Sequence, residues 1–494
     1  MARQDVELLA IGAGPANLAL AVALEELAPA GLAEGTVIAE RYDSVVWQRG
    51  MLLPWTQSQV SFLKDLVTLR NPTSRFSFVN YLHSVGRLDE FINLGTFTPY
   101  RQEISGYLQW VADTLAKVRI HYDRRAVAIA PRHGAGGRLE GWLTSFADGS
   151  EIHSRDLVIG AGRDSRIPAE FAALPADRLI HSADYSARIA ALDPAGKHRF
   201  AVIGGAQSAA ELLWAVHQGF PAAATTMVMR SIGLKNYESS KFTNEIYYSS
   251  FIDQFFQATG PARDQLLREM HLSNYAGLAP AMLDTLYRQR YLERLSGDER
   301  LKLITMTDIT ATRFEGDEVV LTLTDRLTGT STELAADYVL LGTGFDSRMP
   351  ALVRGLADRL GLAETTVDRN YRLCVPGTED DPRSICRAST RPPTASPTRC
   401  SACWRCVPAR SSATCSSTGW APACSPTSPE TSRTESRTRH DHGNPPAEPR
   451  RADLRVRPVH PAPGALAAAE RAVRGLLVDR RTGHLLAPAR APRV

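Results

Sequence analysis

The sequence predicts an α/β fold with two Rossmann-like dinucleotide-binding domains, and three observations support this prediction. Two buried apolar runs, VELLAIG and HRFAVIGG, each meet a glycine-rich turn and continue into apolar residues at helical spacing. The strand that follows each turn ends near a charged residue, Glu40 in the first unit and Arg230 in the second. Strand-like and helix-like segments alternate through the main part of the chain, as expected for parallel sheets.

The composition separates the chain into a main body and a tail. The formal net charge of +4 comes from residues 386–494, which hold 18 of the Arg, no Lys, seven acidic residues and six of the seven Cys. The basic character therefore indicates no nucleic-acid partner. The main body has one cysteine, Cys374, as expected in a reducing compartment. We find no apolar run long enough to cross a membrane and no basic leader, so we expect a cytoplasmic protein without a membrane partner.

The first glycine turn has the pattern of a pyrophosphate site. Gly12 permits a tight turn, and Gly14 lets the backbone approach a pyrophosphate at the helix that begins with Pro15. Asn17 stands where the fingerprint has its third glycine, and Glu40 can accept hydrogen bonds from ribose hydroxyls. The alternative is a tight strand–helix turn that binds nothing.

The second glycine turn, Gly204-Gly205 followed by Gln207 and Ser208, again lies between a strand and a helix. Its partner residue is a cation, Arg230, which suits the 2′-phosphate of NADPH; the alternative is a solvated strand end. Two such turns imply two nucleotides, and FAD with NADPH is the simplest pair. A CxxC thiol pair is missing from residues 1–385, which favours flavin chemistry with O₂ over thiol reduction.

We expect the strand returns that end in GAGRDSRIP and in Gly342-Thr-Gly344 to pass near the flavin, at the crossovers between domains. This gives the following predicted organisation: an FAD domain over 1–168, an NADPH domain over 169–335 with a helical substrate-binding insertion at 236–296, a return to the FAD domain over 336–385, and an aberrant, disordered tail over 386–494.

Six motifs carry a family resemblance: SFLKDLVTLRNP, FTPYRQEISGYLQW, GGAQSAAE, SKFTNEIYY, NYAGL and LGTGF. In this order they resemble the flavin-dependent L-ornithine/L-lysine N-monooxygenases of siderophore biosynthesis. The resemblance covers residues 5–385. It implies an FAD- and NADPH-dependent enzyme without a catalytic metal, and family members are often homotetramers.

The resemblance also implies roles for individual residues. Lys64 would pair with the α-carboxylate of the substrate, and Asn244 and Asn274 would hold its α-amino and carboxylate end, because amides supply both donors and acceptors. Gln59 would lie beside the flavin ring and Arg101 on the nicotinamide side. The alternatives are a surface lysine and two helix-capping asparagines.

Further consequences of the resemblance concern the cofactors. Gln207 and Ser208 would contact the NADPH pyrophosphate. Ser58 stands where the family often has Met. This difference concerns the gating of the flavin face and not the overall chemistry.

The implied reaction is oxygen transfer to an amine. NADPH reduces FAD, the reduced flavin forms a C4a-hydroperoxide with O₂, and the terminal amine of the substrate takes up the distal oxygen. L-Ornithine is the first choice of substrate, L-lysine the second and a diamine the third. The open alternatives are an NADPH oxidase that makes peroxide and an inactive flavin-binding homologue. The motifs SFLKDL and TNEI argue against a ketone oxygenase.

The tail has two interpretations: a metal site, or a translation in the wrong reading frame. Cys400, Cys403 and Cys406 form a C-x₂-C-x₂-C run, but no fourth ligand stands at zinc-finger spacing. A GC-rich back-translation of the tail from Cys386, read two bases later, gives QGLNEATHGLSDTLLSVLAVRAGEI. This matches the segment with which the family continues. We therefore interpret residues 386–494 as an out-of-frame translation, and we expect weak FAD affinity and little hydroxylation if this is the polypeptide made.

Overall fold

The computed structural model describes residues 3–137, 139–274, 277–368 and 371–375. Residues 386–494, for which the sequence predicts a disordered, frameshifted tail, lie outside the described residues. No helix in the described part of the chain is long and apolar enough to span a membrane.

The strands are β1 (Arg3–Ile11), β2 (Thr36–Ala39), β3 (Arg119–His121), β4 (Ala126–His133), β5 (Leu139–Phe146), β6 (Glu151–Ile159), β7 (Leu179–His181), β8 (Arg199–Ile203), β9 (Ala224–Val228), β10 (Leu301–Ile304), β11 (Thr307–Glu315), β12 (Glu318–Asp325), β13 (Ser331–Ala336) and β14 (Tyr338–Leu341). The α-helices are α1 (Pro15–Leu27), α2 (Ala30–Glu34), α3 (Phe78–Ser84), α4 (Leu88–Leu94), α5 (Arg101–Thr114), α6 (Tyr185–Ile189), α7 (Gln207–Gly219), α8 (Ser249–Gln257), α9 (Gly260–Asn274), α10 (Pro280–Ser296) and α11 (Ala351–Arg359). Short 3₁₀ helices cover Arg49–Met51, Phe62–Lys64, Ala135–Gly137, Ala169–Phe171 and Thr243–Tyr247.

The first sheet has the strand order β3-β2-β1-β6-β5-β4. Its strands β3, β2, β1 and β6 are parallel, and β5 and β4 continue antiparallel. The strand β1 is buried on both faces: Leu8 packs with α1 and α5, and Leu9 packs with residues of β4–β6 and α11. Burial on both faces is why this strand is a continuous apolar run.

The second sheet is entirely parallel, with the order β10-β9-β8-β14-β7. Helix α7 packs one face through Leu212, Leu213 and Val216. The antiparallel sheet β11-β12-β13 covers the other face, because Leu321 and Leu323 of β12 join the core of β8 and β14. The parallel part of the first sheet and the whole second sheet are thus enclosed on both sides, as Rossmann-like sheets require.

The return to the first domain was predicted at residue 336, and the structure places it later. Strand β14 pairs with β8 and β7, so it belongs to the second sheet. Only after it does the chain go back, and Val353 and Leu356 of α11 pack against the first sheet. A short buried strand has the same apolar pattern in either sheet, so the sequence pattern alone does not show to which sheet β14 belongs.

Two connecting segments run side by side between the sheets. Ser165 and Phe345 form an antiparallel bridge, and the amide N of Asp346 donates to the carbonyl of Asp164 at 2.8 Å. The region from 236 to 296 connects β9 to β10 and carries a 3₁₀ helix followed by α8, α9 and α10. It is the helical connection from which the Asn side chains of the predicted substrate site come.

Candidate functional site

The first glycine turn has the geometry of a close backbone approach. Gly12 has a φ of +90°, and a Cβ there would lie 2.7 Å from the carbonyl oxygen of Gly160. Gly14 is the N-cap of α1 and Pro15 its first residue. A Cβ on Gly14 would meet nothing within 4 Å, so space is open in front of the helix N-terminus. An anion such as a pyrophosphate fits there, because the first amides of a helix point outwards.

Glu40 and Asn17 support this turn from two sides. Glu40 follows β2, and its carboxylate accepts hydrogen bonds from the amides of Ala13 at 2.7 Å and Tyr42 at 3.1 Å. Each oxygen retains acceptor capacity for a ribose hydroxyl. Asn17 is buried and donates from Nδ2 to the carbonyls of Ile11 and Gly12. Its side chain fastens the turn to β1, in the place where a third glycine would allow close helix–strand packing.

The second glycine turn is built against the end of β14. Gly204 has a φ of +136°, and a Cβ there would lie 2.6 Å from the carbonyl oxygen of Gly342. A Cβ on Gly342 would meet Ala209 of α7 at 2.4 Å. Gly205 faces Ser231, with 3.1 Å from its ideal Cβ position to Ser231 Oγ. Glycine is therefore required at the crossing of β8, β14 and α7, where an open α/β sheet binds its nucleotide.

Gly342 and Gly344 follow β14, and their predicted position near the flavin stays a prediction. Gly342 packs against the second glycine turn, because β14 lies in the second sheet. Gly344 lies in the paired connecting segments, where its carbonyl accepts from the amide of Arg166 at 3.0 Å. The same carbonyl is 2.9 Å from Nε2 of His181. Burial lowers the pKa of His181, which favours the neutral ring at this junction.

The remaining predicted NADPH residues lie around the N-terminus of α7. Ser208 is the second residue of this helix and is half-buried, while Arg230 is exposed two residues beyond β9. Gln207 is turned into the protein: its Nε2 donates to Glu211 at 2.8 Å and its Oε1 accepts from the amide of Ala279 at 2.9 Å.

Arg101 forms a buried ion pair that the sequence analysis missed. Its Nη1 and Nη2 donate to the two carboxylate oxygens of Glu211 at 2.8 and 2.6 Å, and Nη1 also donates to the carbonyl of Met51 at 3.1 Å. Arg101 is 6% exposed and Glu211 is 1% exposed. Helix α5 of the first domain is thereby joined to α7 of the second. The sequence did contain a signal for this residue, since Glu211 is the last residue of the GGAQSAAE motif.

Lys64 lies against the helical segment that carries Asn244. Its ammonium Nζ is 4.6 Å from the ring centre of Tyr248 and 5.4 Å from that of Tyr247. Asn244 belongs to the 3₁₀ helix Thr243–Tyr247, and its Nδ2 donates to the carbonyl of Ser239 at 3.2 Å. Two segments about 180 residues apart in the sequence are thus brought together.

The end of α9 joins the same place. The Tyr247 hydroxyl donates to the carbonyl of Ser273 at 2.6 Å, next to Asn274, the last residue of α9. The side chain of Asn274 is outside the described part of the structure. The two tyrosines were not among the predicted site residues, although they directly follow TNEI in the sequence.

The turn that carries Lys64 is fixed by the next residue, Asp65. Its carboxylate accepts from the amides of Val67 at 2.9 Å, Thr68 at 2.6 Å and Phe78 at 2.7 Å. Burial raises the pKa of Asp65, and these hydrogen bonds act in the opposite direction. Burial also lowers the pKa of the Lys64 ammonium. Lys64 is therefore a partly desolvated cation on a rigid support.

Gln59 lies in the bend before this turn and its side chain is exposed. Ser58, one residue earlier, is buried and its amide donates to the carbonyl of Pro99 at 2.7 Å. The Ser58 hydroxyl accepts from the amide of Val60 at 3.0 Å, so it is used within its own loop.

The two enclosed sheets each have parallel central strands and a glycine turn at a helix N-terminus. They define the class of α/β proteins with two Rossmann-like dinucleotide-binding domains. Residues 4–347 match the family model described as L-lysine 6-monooxygenase/L-ornithine 5-monooxygenase, and the chain belongs to this family.

Named relatives agree with this assignment. The L-ornithine N(5)-monooxygenase of Burkholderia cepacia is 39% identical over 423 residues, which cover 83% of this chain and 95% of the relative. The ornithine hydroxylase of Pseudomonas aeruginosa has a similar structure, with a TM-score of 0.71, 34% identity and coverage of 78% of this chain and 92% of that one. The ornithine N-hydroxylase of Kutzneria sp. 744, solved with reduced FAD, NADP⁺ and L-ornithine, has a TM-score of 0.71, 32% identity and the same two coverages.

Proposed function

We propose that this protein hydroxylates the side-chain nitrogen of L-ornithine with FAD, NADPH and O₂. The family and the named ornithine enzymes support this proposal. The observation that carries it is the position of Lys64, a half-buried cation held against the 3₁₀ helix that contains Asn244. A cation next to the segment that carries the Asn244 amide suits an amino-acid carboxylate and α-amino group.

The residues present fit both cofactors. FAD fits the first turn, where Gly14 faces open space and Glu40 retains acceptor capacity for a ribose. NADPH fits the second turn, where Gly204 and Gly205 bring the backbone close and Arg230 offers an exposed cation for a 2′-phosphate. When bound, these groups supply the reducing equivalents and the activated oxygen.

The chain's own task is to position the substrate and control its protons. Lys64 binds the carboxylate, and the free amine at the other end reacts only when it is unprotonated, although its ordinary pKa is about 10.4. We therefore expect the rate of hydroxylation to rise with pH in the neutral range.

The test is the amount of hydroxylamine formed for each NADPH consumed. With purified protein, FAD, NADPH and air, L-ornithine should give a ratio near one and a larger kcat/KM than L-lysine. Peroxide without hydroxylamine indicates the oxidase alternative, and bound FAD without NADPH consumption indicates an inactive flavoprotein. A larger kcat/KM for L-lysine moves the assignment to the lysine branch of the family.

We also propose a cytoplasmic homotetramer. The family resemblance supports the assembly, and helix α10 exposes Tyr287, Tyr291 and Leu295, which share one face at i, i+4, i+8 spacing. Light scattering at several protein concentrations tests it, and a monomer at all of them contradicts it.

A further inference from the structure

Lys64 has aromatic neighbours in place of a carboxylate. Its Nζ lies 4.6 Å from the ring centre of Tyr248 and 5.4 Å from that of Tyr247. Both distances are within the range in which a ring face attracts an ammonium. Among the described residues, burial is the cause of the lowered Lys64 pKa, and no carboxylate opposes it. The cation is thus held in place without its charge being neutralised.

The Tyr247 ring and the backbone of Tyr248 are held by hydrogen bonds. Tyr247 ends the 3₁₀ helix Thr243–Tyr247 and donates its hydroxyl to the carbonyl of Ser273 at 2.6 Å, which ties it to the end of α9. The amide of Tyr248 donates to the carbonyl of Glu245 at 3.1 Å. On the opposite side, Asp65 anchors the turn of Lys64 through the amides of Val67, Thr68 and Phe78. The turn that carries Lys64 and the segment that carries the two rings are therefore both anchored.

We propose that Tyr247 and Tyr248 form an aromatic clamp that positions the Lys64 ammonium for a substrate carboxylate, and that this clamp selects amino acids over ligands without a carboxylate. The inference rests on the proposed function, because it concerns the same substrate site. Its physical basis is twofold. The ring faces attract the ammonium, and they displace part of the water that would otherwise screen an ion pair.

A clamp of this kind acts through the ring and not through the hydroxyl of Tyr248. Tyr248→Leu removes the ring face, and Tyr248→Phe is the matched control that retains it. For Tyr247, Tyr247→Leu and Tyr247→Phe form the same pair, and Tyr247→Phe additionally removes the hydrogen bond to Ser273. Comparing the Leu and Phe variants at both positions separates the effect of the ring on the Lys64 ammonium from the effect of the Tyr247–Ser273 hydrogen bond.

The probes are L-ornithine and L-ornithinamide, which have the same side chain and differ in the carboxylate charge. Equilibrium dialysis of the full chain gives their Kd values without requiring turnover, and the Kd of NADPH reports damage elsewhere. We expect Tyr248→Leu to raise the Kd of L-ornithine about tenfold, within the range of measured cation–π contributions. The Kd values of L-ornithinamide and NADPH should change less than about twofold, and Tyr248→Phe should resemble the unaltered chain.

Three results overturn the inference: an unchanged or tighter L-ornithine Kd in Tyr248→Leu, an equal loss for L-ornithine and L-ornithinamide, or an equal loss in Tyr248→Phe. An unaltered chain that binds L-ornithine but makes no hydroxylamine contradicts the proposed function and leaves the clamp supported. An unaltered chain that binds no L-ornithine contradicts both.

Discussion

At the scale of single residues, the site depends on how charged side chains are partnered. Arg101 was predicted to line the nicotinamide side, and in the structure both of its terminal nitrogens bind Glu211. Lys64, by contrast, faces two tyrosine rings. A paired arginine fixes the position of two helices, whereas Lys64, which has no carboxylate partner among the described residues, is ready for an anionic ligand. We therefore expect Arg101 to stabilise the contact between two helices and Lys64 to bind the ligand.

Removing one partner of the buried pair should destabilise the protein. Glu211→Ala leaves the Arg101 guanidinium buried without its carboxylate, and we expect the free energy of unfolding to fall by about 3 kcal/mol. The double variant Arg101→Met/Glu211→Leu should recover most of this loss, because it removes both charges. Urea unfolding followed by circular dichroism measures both variants. Equal stability of Glu211→Ala and the unaltered chain would show that the pair is not stabilising.

The pH dependence of substrate binding should report Lys64. The charged form binds the carboxylate, and burial lowers the Lys64 pKa, so affinity is complete at lower pH and is lost as the pH rises through that lowered pKa. In Lys64→Arg the guanidinium stays protonated, and the alkaline loss should be smaller. The difference between the two L-ornithine Kd profiles from pH 7 to 10 cancels the titration of the substrate itself. If the two L-ornithine Kd profiles run parallel, the substrate carboxylate binds a cation other than Lys64.

At the scale of elements, the two strand–turn–helix units are the parts that local sequence predicts best. A buried strand, a glycine turn and an apolar helix follow one another directly, and β1–α1 and β8–α7 occur where the motifs stand. Placement of β14 required more, because its two neighbours β8 and β7 are remote in sequence. Predicting an element is a local problem, whereas assigning it to a sheet depends on pairing at long range.

The two glycines of the first turn should respond differently to substitution. Gly14→Ala adds a Cβ that meets no protein atom within 4 Å, so the protein should fold normally and bind FAD on the order of tenfold more weakly. Gly12→Ala forces a φ of +90° and a contact of 2.7 Å with Gly160, and should lower the free energy of unfolding by about 2 kcal/mol or more.

The matched control is Gly31→Ala, in α2, where the added Cβ also meets nothing within 4 Å. It should change neither stability nor FAD affinity appreciably. Thermal unfolding and flavin fluorescence titration separate the two effects. Unchanged FAD binding in Gly14→Ala would show that the pyrophosphate does not bind at this helix terminus.

At the scale of the whole molecule, catalysis requires the two sheets and the helical segment to act on one substrate. The connecting segments pair at Ser165 and Phe345, and Arg101 and Glu211 join the domains at a second place. Lys64 of the first domain meets the helical region between β9 and β10. The proposed site therefore combines residues from three regions of the chain.

The reading frame beyond Ile385 should determine the coupling of the enzyme. A chain that continues after Ile385 with QGLNEATHGLSDTLLSVLAVRAGEI should bind FAD more tightly and form more hydroxylamine per NADPH than the chain with the printed tail. The expected physical reason is that the family's continuation supplies part of the flavin site. A chain cut after Ile385 is the control. Equal FAD affinity and coupling in all three chains would show that the tail has no influence.

The sequence by itself determined the two dinucleotide turns, because each is specified by residues adjacent in the chain. It also predicted Lys64 and Asn244 as residues of one site, through motifs that resemble a known family. Only the tertiary structure decided that β14 belongs to the second sheet, that Arg101 is paired with Glu211, and that Tyr247 and Tyr248 face Lys64. These three facts depend on residues that are distant in sequence. Their contacts exist only when packing has brought the segments together.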